Sequence, residues 1–303
     1  MQITSVPGIK VGHAQKIKGL TGCTVILSEK GAVWGVDVRG SAPATREIEL
    51  LRPIYHVQKV HAILLTGGSA YGLDAAGGVM NYLEERGIGY DTRVAKIPIV
   101  PTAAIFDLAI GNPRVRPDAR LAYQACQHAS DKNVEEGRVG AGIGATVGKL
   151  DGKTFQLYGG IGTSAMKIGR VSVGALAVVN ALGNVLDENQ NRFISKPNHF
   201  SISRKKQLSR NWKDFFLRNP FNTTLVVVAT DARLSKEETN KFAMLAQNGL
   251  ARSIYPVHTM YDGDIVFGLS TGEKKGDVNV LGTLASDLVA ESVRRAVRIS
   301  NNL

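Results

Sequence analysis

Asn222-Thr223-Thr224-Leu225-Val226-Val227-Val228-Ala229-Thr230-Asp231-Ala232 is the stretch from which the rest of the chain is read. Its apolar centre is short, β-branched and closed by polar residues at both ends, which reads as a buried strand. A buried strand accounts for the apolar run. It does not account for a carboxamide and two hydroxyls at the entrance. A backbone cut before Thr223 does. The new terminus carries a hydroxyl and a free α-amine on one residue, a nucleophile with its own base attached.

Outward from this strand, strands and helices mix. Ser172–Asn180, Ala62–Thr66 and Asp264–Ser270 read as further apolar strands. Thr24–Ser28 and Ala32–Val38 read as a hairpin around Glu29-Lys30-Gly31. Gly67-Gly68-Ser69 opens a helix that reaches about Arg86 and stops at Gly87. Ser235-Lys236-Glu237-Glu238 is a capping box, and the helix it opens is expected to end near Gly249. A last helix runs from about Val278 to Ile299, with Leu281, Leu284, Leu288 and Val289 on one face. Strands outnumber long helices and few βα pairs alternate. That pattern predicts stacked sheets covered by helices rather than a doubly wound parallel sheet.

Composition narrows the class. The 303 residues are 44% hydrophobic and 21% charged, as in a soluble globular protein. No apolar stretch is long enough to cross a bilayer, so no membrane partner is expected. The start, Met1-Gln2-Ile3-Thr4-Ser5-Val6, lacks the basic and apolar regions of a signal peptide. Cys23 and Cys126 show neither metal spacing nor a disulfide framework, which fits a cytoplasmic enzyme with reduced thiols. The net charge is +11, yet the part from Thr223 onward holds 9 basic and 9 acidic residues. Part of the excess stands just before the Asn-Thr step, in Arg204, Lys205, Lys206, Arg210, Lys213 and Arg218, opposed by Asp214. Basic clusters can neutralise phosphates. No recognition motif accompanies this one, so it reads as a solvated connector and no nucleic-acid partner is expected.

Several motifs fail on inspection. Gly144-Ala145-Thr146-Val147-Gly148-Lys149-Leu150 is one residue short of a phosphate loop, and Leu150 replaces the magnesium-binding hydroxyl. Gly67-Gly68-Ser69-Ala70-Tyr71 has Tyr71 where a nucleophile elbow needs glycine. The six histidines lack ligand spacing, so neither a metal nor another cofactor is expected. What remains are polar groups beside glycines and strand ends: Lys149 after a glycine-rich segment, Asn180 closing an apolar strand, and Asp262-Gly263-Asp264 ahead of another. Each alone is compatible with an ordinary turn or cap.

Together these residues resemble the L-aminopeptidase/D-esterase (DmpA-type) family, which includes β-peptidyl aminopeptidases and nylon-oligomer hydrolases. The resemblance runs through nearly the whole chain. It rests on Gly35-Val36-Asp37-Val38-Arg39-Gly40, Ala44-Thr45-Arg46-Glu47, Leu65 to Leu73, Gly159-Gly160-Ile161-Gly162-Thr163, Val173 through Asn180, Asn222 to Ala232, Gly249-Leu250-Ala251-Arg252 and Asp262-Gly263-Asp264. It implies an α/β fold, a four-layer αββα sandwich like that of N-terminal-nucleophile hydrolases with different connections. It also implies a single domain, residues 1–303, that cuts itself once into 1–222 and 223–303. Assembly as a homo-oligomer, a tetramer or larger, is implied as well.

Carried over to this sequence, the resemblance makes Thr223 the nucleophile and Asn222–Thr223 the cleaved bond. Asn180 matches an asparagine that helps hold the oxyanion. In the aminopeptidase branch a serine and an acidic residue stand where this chain has Asp262 and Asp264. Those two carboxylates, a threonine nucleophile and Lys149 are more like the nylon-hydrolase branch. The implied chemistry is an acyl-threonine formed from a peptide, an amino-acid amide or a linear amide oligomer, with Asp262 and Asp264 orienting the amine and Lys149. A free α-amine has a pKa of about 7.7–8.0, so a useful fraction is neutral near pH 7. Capture of the acyl group by an amine instead of water makes an acyltransferase the alternative, beside a strict aminopeptidase. A basic, non-enzymatic binding protein is the reading from another class.

Overall fold

Both faces of the strand that starts at Thr223 are covered, and the covering on each side defines the architecture. The computed structural model describes residues 1–149, 157–189, 192–194 and 222–303. The basic cluster between Arg204 and Arg218 lies outside the described residues. One hydrogen-bonded network joins nine strands: β1 Lys10–Lys16, β2 Thr21–Val38, β3 Ala44–Arg46, β4 Val60–Thr66, β5 Thr102–Ala104, β6 Gly160–Ile168, β7 Val171–Asn180, β8 Thr223–Ala232 and β9 Ile265–Lys274. The principal helices are α1 Ala76–Glu84, α2 Ala119–Gln127, α3 Lys236–Ser253 and α4 Val278–Asn301.

The period-2 alternation of strand side chains sorts the core into three clusters. Along β8, Leu225, Val227 and Ala229 share a cluster with Trp34, Ile63, Leu65 and Phe267. Val226 and Val228 point the other way, into a cluster with Phe242 and Ala246 of α3 and Val289 and Val293 of α4. A third cluster joins Val25, Leu27 and Leu64 to Val79 and Leu83 of α1 and Leu121 of α2. Three apolar seams separate four layers: α3 and α4, the sheet β6-β7-β8-β9, the sheet around β1, β4, β5 and β3, and α1 with α2. This is a mixed α/β sandwich in αββα order. Each fully buried Leu, Ile or Phe contributes roughly 1.5–3 kcal/mol of transfer free energy to these seams.

β2 belongs to both sheets. The expected hairpin around Glu29-Lys30-Gly31 is instead a bulge inside one strand of 18 residues. Thr21 to Leu27 pairs with β1 and β4, whereas Val33 to Val38 pairs with β9. The register against β4 shifts between Leu27 and Ala32, and Gly31 takes φ +75°. Ile26 and Trp34 lie in the same core cluster on either side of the bulge. Folding the chain back on itself would have removed one of them from it. The polar triplet is the corner at which the strand passes from sheet to sheet.

The capping box at Ser235 is present, with the Ser235 side chain accepting from the Glu238 amide. α3 continues past Gly249 to Ser253. Gly249 is not a stop signal there: an added Cβ would lie 2.3 Å from the Ser286 carbonyl oxygen, so glycine lets α3 and α4 approach. No described helix is long and apolar enough to cross a membrane.

Candidate active site

Topology gathers the ends of three neighbouring strands. β7 ends at Asn180, antiparallel β8 begins beside it at Thr223, and β9, parallel to β8, begins just after Asp264. Asn180 and Thr223 are direct register partners. Asn222 and Asp262 form an isolated parallel bridge one step further out. Lys149 reaches the same place from the segment before residue 150, with its Nζ donating to the Asn180 carbonyl oxygen at 3.0 Å and to Asn180 Oδ1 at 3.1 Å. The six residues singled out from the sequence are thus linked through one continuous set of contacts.

Asn180 is fully buried and its carboxamide orientation is determined by its partners. Oδ1 accepts from the Thr146 amide at 3.0 Å, and Nδ2 donates to the Phe106 carbonyl at 3.0 Å. The second N–H on Nδ2 has no protein acceptor among the described residues, leaving one donor for a bound oxygen. Thr223 is 4% exposed, and its hydroxyl lies 2.5 Å from the Asn222 carbonyl oxygen. The Gly263 amide donates to that same oxygen at 2.7 Å. A peptide carbonyl is therefore flanked by a hydroxyl and an amide donor. The end of β2 packs across this turn: Arg39 and Gly40 amides donate to the Asp264 carbonyl, and the Ala42 amide donates to that of Asp262. A Cβ at Gly40 would sit 2.2 Å from the Asp264 nitrogen, so glycine is what lets β2 cross so closely.

The two carboxylates have separate partners. Asp264 Oδ1 accepts from the Thr224 amide at 2.7 Å. Its Oδ2 accepts from the His258 amide at 3.1 Å and meets His258 Nδ1 at 3.0 Å. Asp262 Oδ2 accepts from the Thr259 hydroxyl at 2.6 Å and the Thr259 amide at 3.0 Å. Burial, reinforced by the nearby Asp264 charge, pushes Asp262 up to about 6. Burial pushes Lys149 down to about 7, against the opposing pull of Asp262 and Asp264. Lys149 is half-buried, and its ammonium turns onto the buried Asn180. Lys149 hydrogen-bonds to Asn180, and the carboxylates reach it through their charge. An acid and a base that both titrate near neutrality are thus enclosed at one strand end, an arrangement suited to proton transfer.

Five contributors are not singled out by the sequence: His258, Thr259, the Gly263 amide, the Thr146 amide and the Phe106 carbonyl. Backbone groups carry no side-chain signature. His258 lacks metal-ligand spacing, and its distance of six residues from Asp264 is meaningful only once the turn is seen.

The profile of Peptidase family S58 matches residues 1–302. The chain belongs to that family. This S58 peptidase is accordingly a hydrolase of amide bonds. An uncharacterised aminopeptidase of Mycobacterium bovis is 45% identical to it over 291 residues, spanning 89% of this chain and 81% of the relative. A 6-aminohexanoate-oligomer endohydrolase of Kocuria sp. is 32% identical over 310 residues, spanning 96% and 84%. Among solved structures, the L-aminopeptidase D-Ala-esterase/amidase of Ochrobactrum anthropi aligns with a TM-score of 0.74 at 18% identity, covering 97% of this chain and 85% of that one. That structure is described as a variant of the Ntn hydrolase fold, and the likeness concerns the fold alone.

Proposed function

We propose that this S58 peptidase matures by cutting its own Asn222–Thr223 bond and then uses Thr223 as an N-terminal nucleophile on amide substrates. The observation that carries the reading is the pairing of the Thr223 hydroxyl and the Gly263 amide on the Asn222 carbonyl oxygen. In maturation, Thr223 Oγ1 bonds to the Asn222 carbonyl carbon, with Gly263 N–H stabilising the oxyanion. The C–N bond then breaks and the Thr223 nitrogen takes up a proton. Water hydrolyses the resulting ester, leaving an Asn222 carboxylate and a free Thr223 amine.

In turnover, the neutral Thr223 amine accepts the hydroxyl proton as Oγ1 attacks the substrate carbonyl. The leaving amine takes the proton, and water resolves the acyl-threonine. Asn180 Nδ2 donates to the tetrahedral oxygen, a contact of a kind whose loss costs roughly 2.7–4 kcal/mol. Asp264 holds the Thr224 amide and so the register of the nucleophile. Lys149 and Asp262 supply proton transfer and charge beside it. The substrate class is amides of amino acids, peptides or linear amide oligomers, drawing on the names of the two relatives above. The test is intact mass of purified protein with hydrolysis of a linear 6-aminohexanoate oligomer and an amino-acid anilide. Two fragments of 222 and 81 residues support the reading; an uncut chain that hydrolyses amides at full rate overturns it.

A further inference from the structure

The turn ahead of Asp264 contains a histidine whose geometry points to a task. His258 has φ +56°, in the left-handed region, where side chains other than Asn, Asp and His are rare. This conformation brings its backbone N–H and its ring Nδ1 to one oxygen, Asp264 Oδ2. Asp264 is 1% exposed, and a buried carboxylate needs donors on both oxygens. Its other oxygen takes the Thr224 amide. The carboxylate therefore bridges the 258 turn to the first peptide unit beyond Thr223. The contact with a carboxylate oxygen that already accepts the His258 amide favours the ring tautomer with hydrogen on Nδ1. Nε2 is buried with no hydrogen-bond partner among the described residues. The ring is placed for what its Nδ1 does to Asp264, at the expense of its other nitrogen.

We infer that His258 is a positioning residue: its paired contacts on Asp264 orient that carboxylate, which in turn holds the Thr224 amide and keeps the Thr223 hydroxyl against the Asn222 carbonyl. This rests on the reading of Thr223 as the nucleophile. Thr259 performs a parallel task for Asp262, clamping it with hydroxyl and amide. Adjacent residues of one turn thus hold the two carboxylates in separate orientations.

The chain's own Asn222–Thr223 bond serves as the test substrate, so no external ligand is needed. Full-length protein is made in a cell-free pulse, and scission is followed on denaturing gels for the wild type, Thr223→Ala, His258→Gly and His258→Asn. Glycine accepts φ +56° without strain but removes the ring donor. Asparagine accepts the same backbone, and its Nδ2 stands where Nδ1 did. Scission is expected to slow tenfold or more in His258→Gly and to stay within threefold of wild type in His258→Asn, both with native circular dichroism. A His258→Gly chain that cuts at the wild-type rate overturns the inference. So does a folded His258→Asn chain that cuts as slowly as the glycine variant. Should His258→Gly not fold, the asparagine rate alone decides. A wild type that stays in one piece, or a Thr223→Ala chain that still cuts, instead removes the underlying reading of Thr223.

Discussion

The Gly263 amide donates to the Asn222 carbonyl oxygen at 2.7 Å, and a Cβ on Gly263 would stand 2.8 Å from the Thr223 hydroxyl oxygen. Donor and steric clearance come from the same residue. A side chain here is therefore predicted to act on maturation first. Gly263 does not have positive φ, so alanine meets no backbone strain. It meets the hydroxyl and the Ala42 carbonyl, also at 2.8 Å. Gly263→Ala is expected to slow scission at least tenfold with retained secondary structure. Gel time courses beside circular dichroism measure both; scission at the wild-type rate would mean that the Thr223 hydroxyl does not need the clearance that glycine leaves.

Thr223 itself separates nucleophile from scaffold. Thr223→Ala removes the hydroxyl together with the γ-methyl, and one inactive full-length species is expected. Thr223→Ser keeps the hydroxyl and loses a methyl group from a 4% exposed site, at a cost of about 1 kcal/mol in packing. The serine chain is expected to cut and to turn over. Intact mass together with amide hydrolysis decides the matter, and an active, uncut alanine variant would contradict the whole mechanism.

Asn180 calls for a careful substitution. Its carboxamide satisfies the Thr146 amide, the Lys149 ammonium and the Phe106 carbonyl. Alanine would strand three buried partners and confuse stability with catalysis. Asn180→Asp keeps the shape and the acceptor oxygen while deleting the N–H donors. A fall in kcat of about 100-fold or more is expected, the range for losing one oxyanion donor, with KM within a few-fold. If kcat holds and KM rises instead, Asn180 binds substrate and does not serve the oxyanion.

Much of this arrangement was legible in the sequence, for identifiable reasons. Strong local signals survived: the Thr224–Thr230 apolar run became β8 and the Ser235 box became the start of α3. The layered class followed from strands outnumbering helices. Long-range pairing was not legible. Glu29-Lys30-Gly31 carries the chemistry of a hairpin turn, and the core shared by Ile26 and Trp34 made it a bulge instead. β6 carries a weak strand signal because Gly160 and Gly162 dilute its apolar pattern. Gly162 is small because the Ser292 carbonyl of α4 would lie 2.0 Å from a Cβ there. In the site, side chains with distinctive chemistry stood out, whereas the Gly263 amide and the Phe106 carbonyl became visible only as geometry.

Lys149 offers a test that needs no substrate. Its folded-state pKa is pushed down to about 7 from an ordinary 10.5. Between those values the unfolded chain binds more protons than the folded one, so stability must rise with pH through that window. Allowing for the half-buried position of Lys149, the gain from pH 7 to pH 9 is at most about 2 kcal/mol. Asp262 has the opposite sign. Raised to about 6 from 3.8, it binds more protons in the folded chain, and its contribution falls as pH climbs from about 4 to 6. The two windows do not overlap, so they can be read apart. Lys149→Met is expected to flatten the rise between pH 7 and 9 while leaving the acid limb in place, as measured by urea midpoints at pH 5, 7, 8 and 9. An unchanged alkaline slope would mean that the ammonium is not enclosed. Between pH 6 and 7 both groups are charged in the folded chain, so the site is least stable where it holds a carboxylate and an ammonium together.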